Sequence, residues 1–355
     1  DSMRARIIAW NDSVTKVNRQ IMGENRRNHD GPQKPLIELK DEPALFYRQM
    51  CDAGILGMIQ SSPVPIRALY DRKNLDNMTF DNLPSVCDIK LDEHQYDLIK
   101  QMTQERRYFL LEFDIRNHFK PGPVAYHNII GVIKGTKYPD QYVMMGAHLD
   151  AFDVATGGVD DGSGVAPVME AARLIMAAGG KPKRTILVCL WAGEEFGLFG
   201  SKHWVEANKG KLPDISNYFN RDGGPTVATG LTVPEAMYSD FEKICKPLNS
   251  INPDFPFTLK ERTSPPRPRP ARAGGSDHAY FAMNGVPTLS FDIPDAKGYN
   301  FNYGEIWHTE RDTYTKSIPE YEDHTAAVTA VVVYGVANLD HLLSREGLYE
   351  ETENK

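Results

Sequence analysis

The stretch YVMMGAHLDAFDVATGGVDDGSG, residues 142–164, decides the fold prediction for this chain. It opens on an apolar run of the kind found in strands that are buried on both faces of a parallel sheet. His148 and Asp150 follow at the carboxyl end of this strand, and a Gly-rich turn then leads to Asp160 and Asp161. The residues after GSG have the apolar spacing of a helix. The stretch therefore predicts a strand, a polar loop and a helix in succession.

The polar loop has two interpretations. A histidine and several carboxylates at the end of a buried strand are costly to desolvate unless a cation or hydrogen-bond partners compensate. Open α/β sheets place their ligands at this edge. A metal site accounts for the residues, and so does a loop whose polar side chains bond to one another. From this stretch alone, both interpretations stay open.

Length and composition limit the class of protein. A chain of 355 residues accommodates one large domain or two ordinary ones. Its net charge of −8 argues against nucleic acid or an anionic membrane surface as the main partner. No apolar run approaches the roughly 20 residues that span a bilayer, and no signal peptide is visible. The four cysteines form no CxxC pair, so a structural zinc knuckle is not expected.

Strand and helix patterns alternate from residue 124 onward, as in RTILVCLWAGEE at 184–195 followed by an amphipathic segment. This alternation predicts an α/β fold with a mainly parallel mixed sheet sandwiched by helices. PGP at 121–123 is a boundary signal, so we expect a smaller N-terminal α/β module over 1–122 and the main domain over 123–355. Within the first module, RARIIAW and RRYFLLEFDIR are predicted as strands.

Five candidate metal ligands stand at or near the ends of predicted strands or in the late motif WHTERDT; they are His148, Asp160, Glu195, Asp222 and His308. Imidazole nitrogen and carboxylate oxygen suit Zn²⁺. Three protein ligands per ion leave an open position, so five ligands serve two ions only if one carboxylate bridges. Asp160 suits that position because its side chain is short and its Gly-rich surroundings permit unusual backbone angles. Glu194 is then a spare carboxylate and a candidate general base.

Six separated motifs, in this order and spacing, resemble those of the di-zinc exopeptidase family: GAHLD, GGVDDGSG, AGEEFGLFGS, NRDGG, GGSDHAYF and WHTERDT. The family includes leucyl-type aminopeptidases, carboxypeptidase Q and the glutamate carboxypeptidases. The resemblance covers roughly 124–345 and is specific because six motifs agree. The region 1–122, with QMCDAGILGMI, more loosely resembles the protease-associated domain that is often joined to such peptidases. In many relatives a segment before that domain also contributes to the catalytic fold.

The resemblance implies two zinc ions as cofactors. His148, Asp160 and Asp222 would hold one ion. Asp160, Glu195 and His308 would hold the other. The zinc exopeptidase fold is implied with them.

The resemblance also implies roles around the ions. Glu194 would be the general base. Asp150 would accept a hydrogen bond from the ring of His148 and so orient it. A cis peptide bond between Asp160 and Asp161 is expected as well.

Further residues are candidates for contact with substrate. Asp277 and His278 in the SDH motif are expected on the substrate side. Trp307 stands before His308, where some relatives carry tyrosine, so an oxyanion-stabilising phenol is absent from that position. A Pro/Arg-rich loop could bind a substrate carboxylate or could simply be solvated; its arginines are Arg267, Arg269 and Arg272.

The predicted function is that of a zinc-dependent exopeptidase, with an aminopeptidase as the first choice. Metal-activated water would attack a terminal peptide bond of a peptide substrate, and Glu194 would act as general base. The alternatives are a carboxypeptidase or dipeptidase of the carboxypeptidase Q type, a glutaminyl cyclase-like acyltransferase, and a non-catalytic relative. We further expect an extracellular or periplasmic location, no membrane span and no nucleic-acid partner. A homodimer is a candidate assembly.

Overall fold

The computed structural model describes residues 2–27, 34–37, 39, 49–62, 64, 86–116, 118 and 122–350. The chain divides into two compact units. One comprises Asp1–Gln60 and Asn82–Ile89, and the other comprises Ser61–Asp81 and Lys90–Lys355.

The first unit begins with helix α1, Ser2–Arg27. Most of strand β1, Gly57–Ser62, and the first half of strand β2, Cys87–Asp92, also belong to this unit, and the two strands form a two-stranded sheet. The prediction of a strand at RARIIAW is wrong, because this run is the start of α1. A short apolar run fits a strand or a helix equally well. Here it continues into a long stretch without proline, and such a stretch can propagate a helix.

In the second unit, helix α2, Glu93–Gln104, begins where the side chain of Asp92 accepts hydrogen bonds from the first turn. The segment RRYFLLEFDIR follows, and the prediction of a strand there is wrong. Residues 107–116 have no regular secondary structure, and side chains such as Tyr108 and Leu110 are more than 80% exposed. A strand requires a hydrogen-bonded neighbour, and within the described part of the chain this segment has none.

The central sheet has the strand order β3-β5-β4-β6. Its members are β3, Ile129–Ile133, β4, Tyr138–His148, β5, Arg184–Trp191, and β6, Ile215–Asn220. Strand β4 runs parallel to both β5 and β6, and β3 pairs antiparallel with β5. The prediction of a mainly parallel mixed sheet is confirmed.

Helices cover both faces of this sheet. On one face, Met145 and Val188 pack in a cluster with helices α3, Gly162–Ala177, and α7, Pro319–Ala337. On the other face, Met144 and Cys189 pack with α4, Phe199–Ala207, and α6, His278–Met283. Neighbouring strand residues thus face opposite layers, as expected for strands buried on both sides.

A second sheet has the order β8-β7-β9. Its strands are β7, Gly230–Val233, β8, Thr258–Glu261, and β9, Phe291–Asp292, and helix α5, Glu235–Cys245, follows β7. None of the helices within the described ranges combines the length and the apolar character that a membrane crossing requires.

Candidate metal centre

The three parallel strands of the central sheet end side by side. Residue His148 at the end of β4 is paired with Trp191 at the end of β5, and Gly146 is paired with Asn220 at the end of β6. The loops that follow these strands therefore leave the sheet at one edge. This edge is where parallel α/β sheets bind their ligands.

The five predicted ligands meet at this edge in two groups. One group is His148, Asp160 and Asp222, and the other is Asp160, Glu195 and His308; within each group the ligand atoms all lie within 4.8 Å of one another. Nε2 of His148 is 3.2 Å from Oδ1 of Asp160, and Nε2 of His308 is 2.9 Å from Oε2 of Glu195. Asp160 belongs to both groups, as a bridging carboxylate would.

The donor set fits metal ions. Asp160 and Glu195 are buried, and Oδ2 of the first and Oε1 of the second have no hydrogen-bond partner. Burial raises the pKa of Glu195 to about 8, and the charge of Asp160 contributes to the rise. Buried carboxylates packed against one another are costly without a cation. Imidazole and carboxylate donors together suit Zn²⁺.

His308 is held by aromatic rings and by the backbone. Its ring stacks on Trp307 with centroids 3.9 Å apart, and Phe152 lies 4.2 Å away from it. The backbone of His308 has a φ of 57°, in the left-handed region that few residues other than glycine adopt. This turn and the two rings fix the direction in which the imidazole points toward Glu195.

The loop that carries Asp160 is tied to a residue that the sequence analysis missed. Oδ1 of Asp312 accepts hydrogen bonds from the main-chain nitrogens of Val159, at 2.7 Å, and Asp160, at 3.3 Å. The peptide bond between Asp160 and Asp161 is cis, as the family resemblance predicts. Oδ2 of Asp161 in turn accepts from the main-chain nitrogen of His148. The signal for Asp312 was its place in the motif WHTERDT.

Asp150 lies where the sequence places it, but it contacts His148 through a different atom. Nδ1 of His148 is 2.9 Å from the main-chain oxygen of Asp150, whereas the nearest carboxylate oxygen is 3.8 Å away. Asp150 therefore accepts from the ring of His148, as predicted, but through its main-chain oxygen and not through its carboxylate. Since a carbonyl oxygen only accepts, Nδ1 must carry a proton, and Nε2 is the ring nitrogen that faces the centre. The carboxylate instead accepts from the main-chain nitrogens of Glu194 and Glu195.

Glu194 adjoins both groups without belonging to either. It is only 4% exposed, and it lines a cavity at the edge of the sheet. Burial raises its pKa to about 9, and nearby carboxylates such as Asp222 add to this rise, although His148 opposes it. Cations bound beside Glu194 would lower that pKa. A carboxylate with these surroundings can exchange a proton with a bound water.

Asp222 is supported by a chain of hydrogen bonds that starts in the core. The indole of Trp191 donates to the hydroxyl of Tyr218, which donates to the amide oxygen of Asn220. The amide of Asn220 donates to the hydroxyl of Ser276 at 2.7 Å. Burial alone would raise the pKa of Asp222, but His148, whose Nε2 lies 3.8 Å from Oδ1, and the nearby Ser276 hold it below its usual value.

A cavity of about 560 Å³ opens onto this centre. His278 lines it, and its role as a substrate contact stays a prediction. Asp277 is fully buried and accepts a hydrogen bond from the hydroxyl of Ser201, so the prediction of a substrate contact is corrected for this residue. Tyr303 also lines the cavity, and the sequence analysis missed it. The three arginines of the Pro/Arg-rich loop lie outside the lining residues of the described chain.

Comparison with known proteins connects this centre to a family. Residues 128–333 match the family described as peptidase family M28. Carboxypeptidase Q from Mus musculus is 27% identical over 267 residues, which are 75% of this chain and 53% of that protein. Carboxypeptidase Q from Homo sapiens is 32% identical over 220 residues, 61% of this chain and 43% of that protein. The chain thus spans about half the length of the curated relatives it matches.

Among solved structures, the peptidase M28 precursor from Shewanella amazonensis SB2B superimposes with a TM-score of 0.58 and 26% identity, over 75% of this chain and 57% of the other. This likeness agrees with the α/β architecture described above. The family match extends over more than half of the chain and includes every residue of the two ligand groups. The chain therefore belongs to peptidase family M28, a family of metallopeptidases.

Proposed function

We propose that this protein is an exopeptidase that uses two zinc ions to hydrolyse a terminal peptide bond. The observation that carries the proposal is the pair of ligand groups that share Asp160, with Glu194 beside them in a cavity. Each group offers three protein ligands, and three ligands leave a zinc ion an open position for water or substrate.

His148, Asp160 and Asp222 would hold one ion. Asp160, Glu195 and His308 would hold the other. Zinc ions bound there would supply Lewis acidity and would make water a stronger nucleophile at neutral pH.

Glu194 performs the proton transfers in this proposal. As the water oxygen bonds to the scissile carbonyl carbon, Glu194 accepts the proton that the water loses. As the carbon–nitrogen bond breaks, the same carboxyl donates that proton to the leaving amine. The carboxylate of Asp150, by accepting from the main chain of Glu194 at 3.1 Å, keeps this side chain directed at the cavity.

Within this class, we infer an aminopeptidase. The arginines of the Pro/Arg-rich loop, which could receive the carboxylate of a substrate C-terminus, do not line the cavity. A carboxypeptidase or dipeptidase is the second candidate, since carboxypeptidase Q of mouse and human are relatives. Glutaminyl cyclase-like acyl transfer and a non-catalytic role are less well supported, because the five ligands and Glu194 are all present.

A substrate panel tests the proposal. Purified protein is analysed for zinc, and turnover is measured on aminoacyl anilides, free dipeptides and N-acylated dipeptides. Cleavage of the anilides and free dipeptides but not of the acylated ones identifies an aminopeptidase. Cleavage of the acylated dipeptides without the anilides identifies a carboxypeptidase. A protein that holds two zinc ions per chain and cleaves none of them would contradict the proposed function.

The remaining expectations are part of this proposal. The five ligands lie within 148–308, inside the predicted catalytic domain 123–355. The region 1–122 would then restrict access to the centre or assist binding, as a protease-associated domain. An extracellular or periplasmic location and a homodimer also stay predictions.

A further inference from the structure

The phenol of Tyr303 stands beside the metal centre. Tyr303 opens a short 3₁₀ turn, Tyr303–Glu305, in the loop before His308. Its main-chain oxygen accepts hydrogen bonds from Ile306 at 3.0 Å and from Trp307 at 2.8 Å. The turn that directs the imidazole of His308 therefore also fixes the main chain of Tyr303.

The phenol extends across the cavity toward the other ligand group. It lines the same cavity as Asp160, Glu194 and Asp222. A Cβ atom placed on Gly223 would lie 3.8 Å from the phenol oxygen, so that oxygen stands over the residue after Asp222. The side chain of Tyr303 thus starts in the loop that carries His308, and its hydroxyl lies above the loop that carries Asp222.

The hydroxyl of Tyr303 is a donor without an assigned acceptor. Two fully buried tyrosines have acceptors, since Tyr218 donates to Asn220 and Tyr321 donates to Asp295, whereas Tyr303 is half-buried and faces the cavity. Among the described residues, none accepts a hydrogen bond from Tyr303. The ordinary pKa of a phenol is about 10, so Tyr303 keeps its proton at neutral pH. A protonated donor that faces the reaction cavity is suited to a group that gains negative charge there.

The residue directly before His308 is not a tyrosine, so that position has no phenol hydroxyl to donate. It is occupied by Trp307, and the indole stacks on the ligand imidazole. The phenol in this chain comes instead from the start of the same loop.

We propose that Tyr303 is a catalytic residue whose hydroxyl donates a hydrogen bond to the oxyanion that forms on the scissile carbonyl. This inference rests on the proposed peptidase function. When the water oxygen bonds to the carbonyl carbon, the π electron pair moves onto the carbonyl oxygen, and Glu194 takes the proton from water. Tyr303 keeps its own proton throughout. When the carbonyl re-forms, the carbon–nitrogen bond breaks, and the amine takes the proton from Glu194.

The test is Tyr303→Phe, which removes only the hydroxyl. We expect kcat to fall about 10²–10³-fold, the usual loss for one oxyanion donor, with KM and zinc content nearly unchanged. The matched control is Tyr299→Phe, because the hydroxyl of Tyr299 donates to Glu320 and Tyr299 does not line the cavity. This control should leave kcat unchanged.

A binding measurement separates a catalytic role from a structural one. A phosphinic dipeptide analogue carries a tetrahedral anionic centre in place of the scissile bond, and its affinity should fall by the same factor as kcat. The affinity of the product amino acid should stay the same. Full kcat in Tyr303→Phe, loss of zinc, or equal weakening of analogue and product would each overturn the role of Tyr303. Absence of turnover in the zinc-loaded wild-type protein would instead refute the proposed function.

Discussion

The carboxylate of Asp150 accepts a hydrogen bond from the main-chain nitrogen of Glu194 at 3.1 Å. A residue that follows β4 thereby fixes the loop that follows β5. The main-chain oxygen of Asp150 also orients His148. One residue thus positions both a ligand and the general base of the proposed reaction.

Removal of this carboxylate should impair activity and metal binding together. Asp150→Ala leaves the main-chain nitrogens of Glu194 and Glu195 without their acceptor. We expect both kcat/KM and zinc affinity to fall about 10–100-fold, as is typical when a partner of metal ligands is lost. Asp150→Asn retains one carbonyl oxygen as acceptor and should lose less. Wild-type kinetics and zinc affinity in Asp150→Ala would show that the two hydrogen bonds are dispensable.

The adjacent glutamates should differ in their effects. Glu194→Gln keeps the shape of the side chain but cannot take a proton, so kcat should fall at least about 10²–10⁴-fold while zinc stays bound. Glu195→Gln should lose zinc instead, because a neutral amide is a poor zinc ligand. Measurement of zinc content together with steady-state kinetics distinguishes the two variants. The assigned roles are refuted if Glu194→Gln turns over normally or loses zinc as readily as Glu195→Gln.

Asp312 should control zinc binding without touching a zinc ion. Asp312→Ala removes the acceptor for the main-chain nitrogens of Val159 and Asp160, so the shared ligand loses its fixed position. We expect zinc affinity to fall about 10–100-fold. Asp312→Asn, which can still accept, serves as the conservative comparison. Titration of the metal-free protein with zinc measures both, and equal affinities in Asp312→Ala and wild type would contradict the prediction.

Zinc binding should release protons near neutral pH. In the metal-free protein the pKa of Glu195 is raised to about 8, so this carboxyl is mostly protonated at pH 7 and must lose its proton to bind zinc. Apparent zinc affinity should therefore rise as the pH increases toward 8. Calorimetry in two buffers of different ionisation enthalpy measures the protons released. Exposed Glu206 supplies the control, because Glu206→Gln should change neither quantity.

His324 should make the fold less stable in mild acid. It is buried in α7, neither ring nitrogen has a hydrogen-bond partner, and burial lowers its pKa below the usual 6.5. Since the unfolded chain binds the proton more readily, stability is complete above about pH 6.5 and is lost below it, by at most about 1.4 kcal/mol per pH unit.

His324→Leu should remove this contribution. The difference in unfolding free energy between variant and wild type, measured by urea titration, should shift in favour of the variant as the pH falls from 7 to 5. His94→Leu on the exposed surface of α2 is the control and should show no such shift. A constant difference for His324→Leu across this range would contradict the prediction.

Local pattern explains why much of the centre could be predicted. The apolar runs of β4 and β5 specify buried parallel strands, and parallel strands end at one edge of their sheet. Candidate ligands at or just after the ends of such strands, such as His148 and Glu195, are therefore brought together by the strands themselves. The same local reasoning failed at RARIIAW, where a short apolar run could not distinguish a strand from the start of a long helix.

The sequence by itself indicated the family, the central strands β4 and β5 and the five candidate ligands. Only the tertiary structure decided which atom of Asp150 contacts His148, that Asp277 is buried, and that Tyr303 and Asp312 belong to the centre. Asp312 and Asp160 are 152 positions apart. Contacts of that range depend on how separate loops pack over the sheet edge. No periodicity within a single segment encodes that packing, because periodicity reports only which face of its own helix or strand a residue occupies.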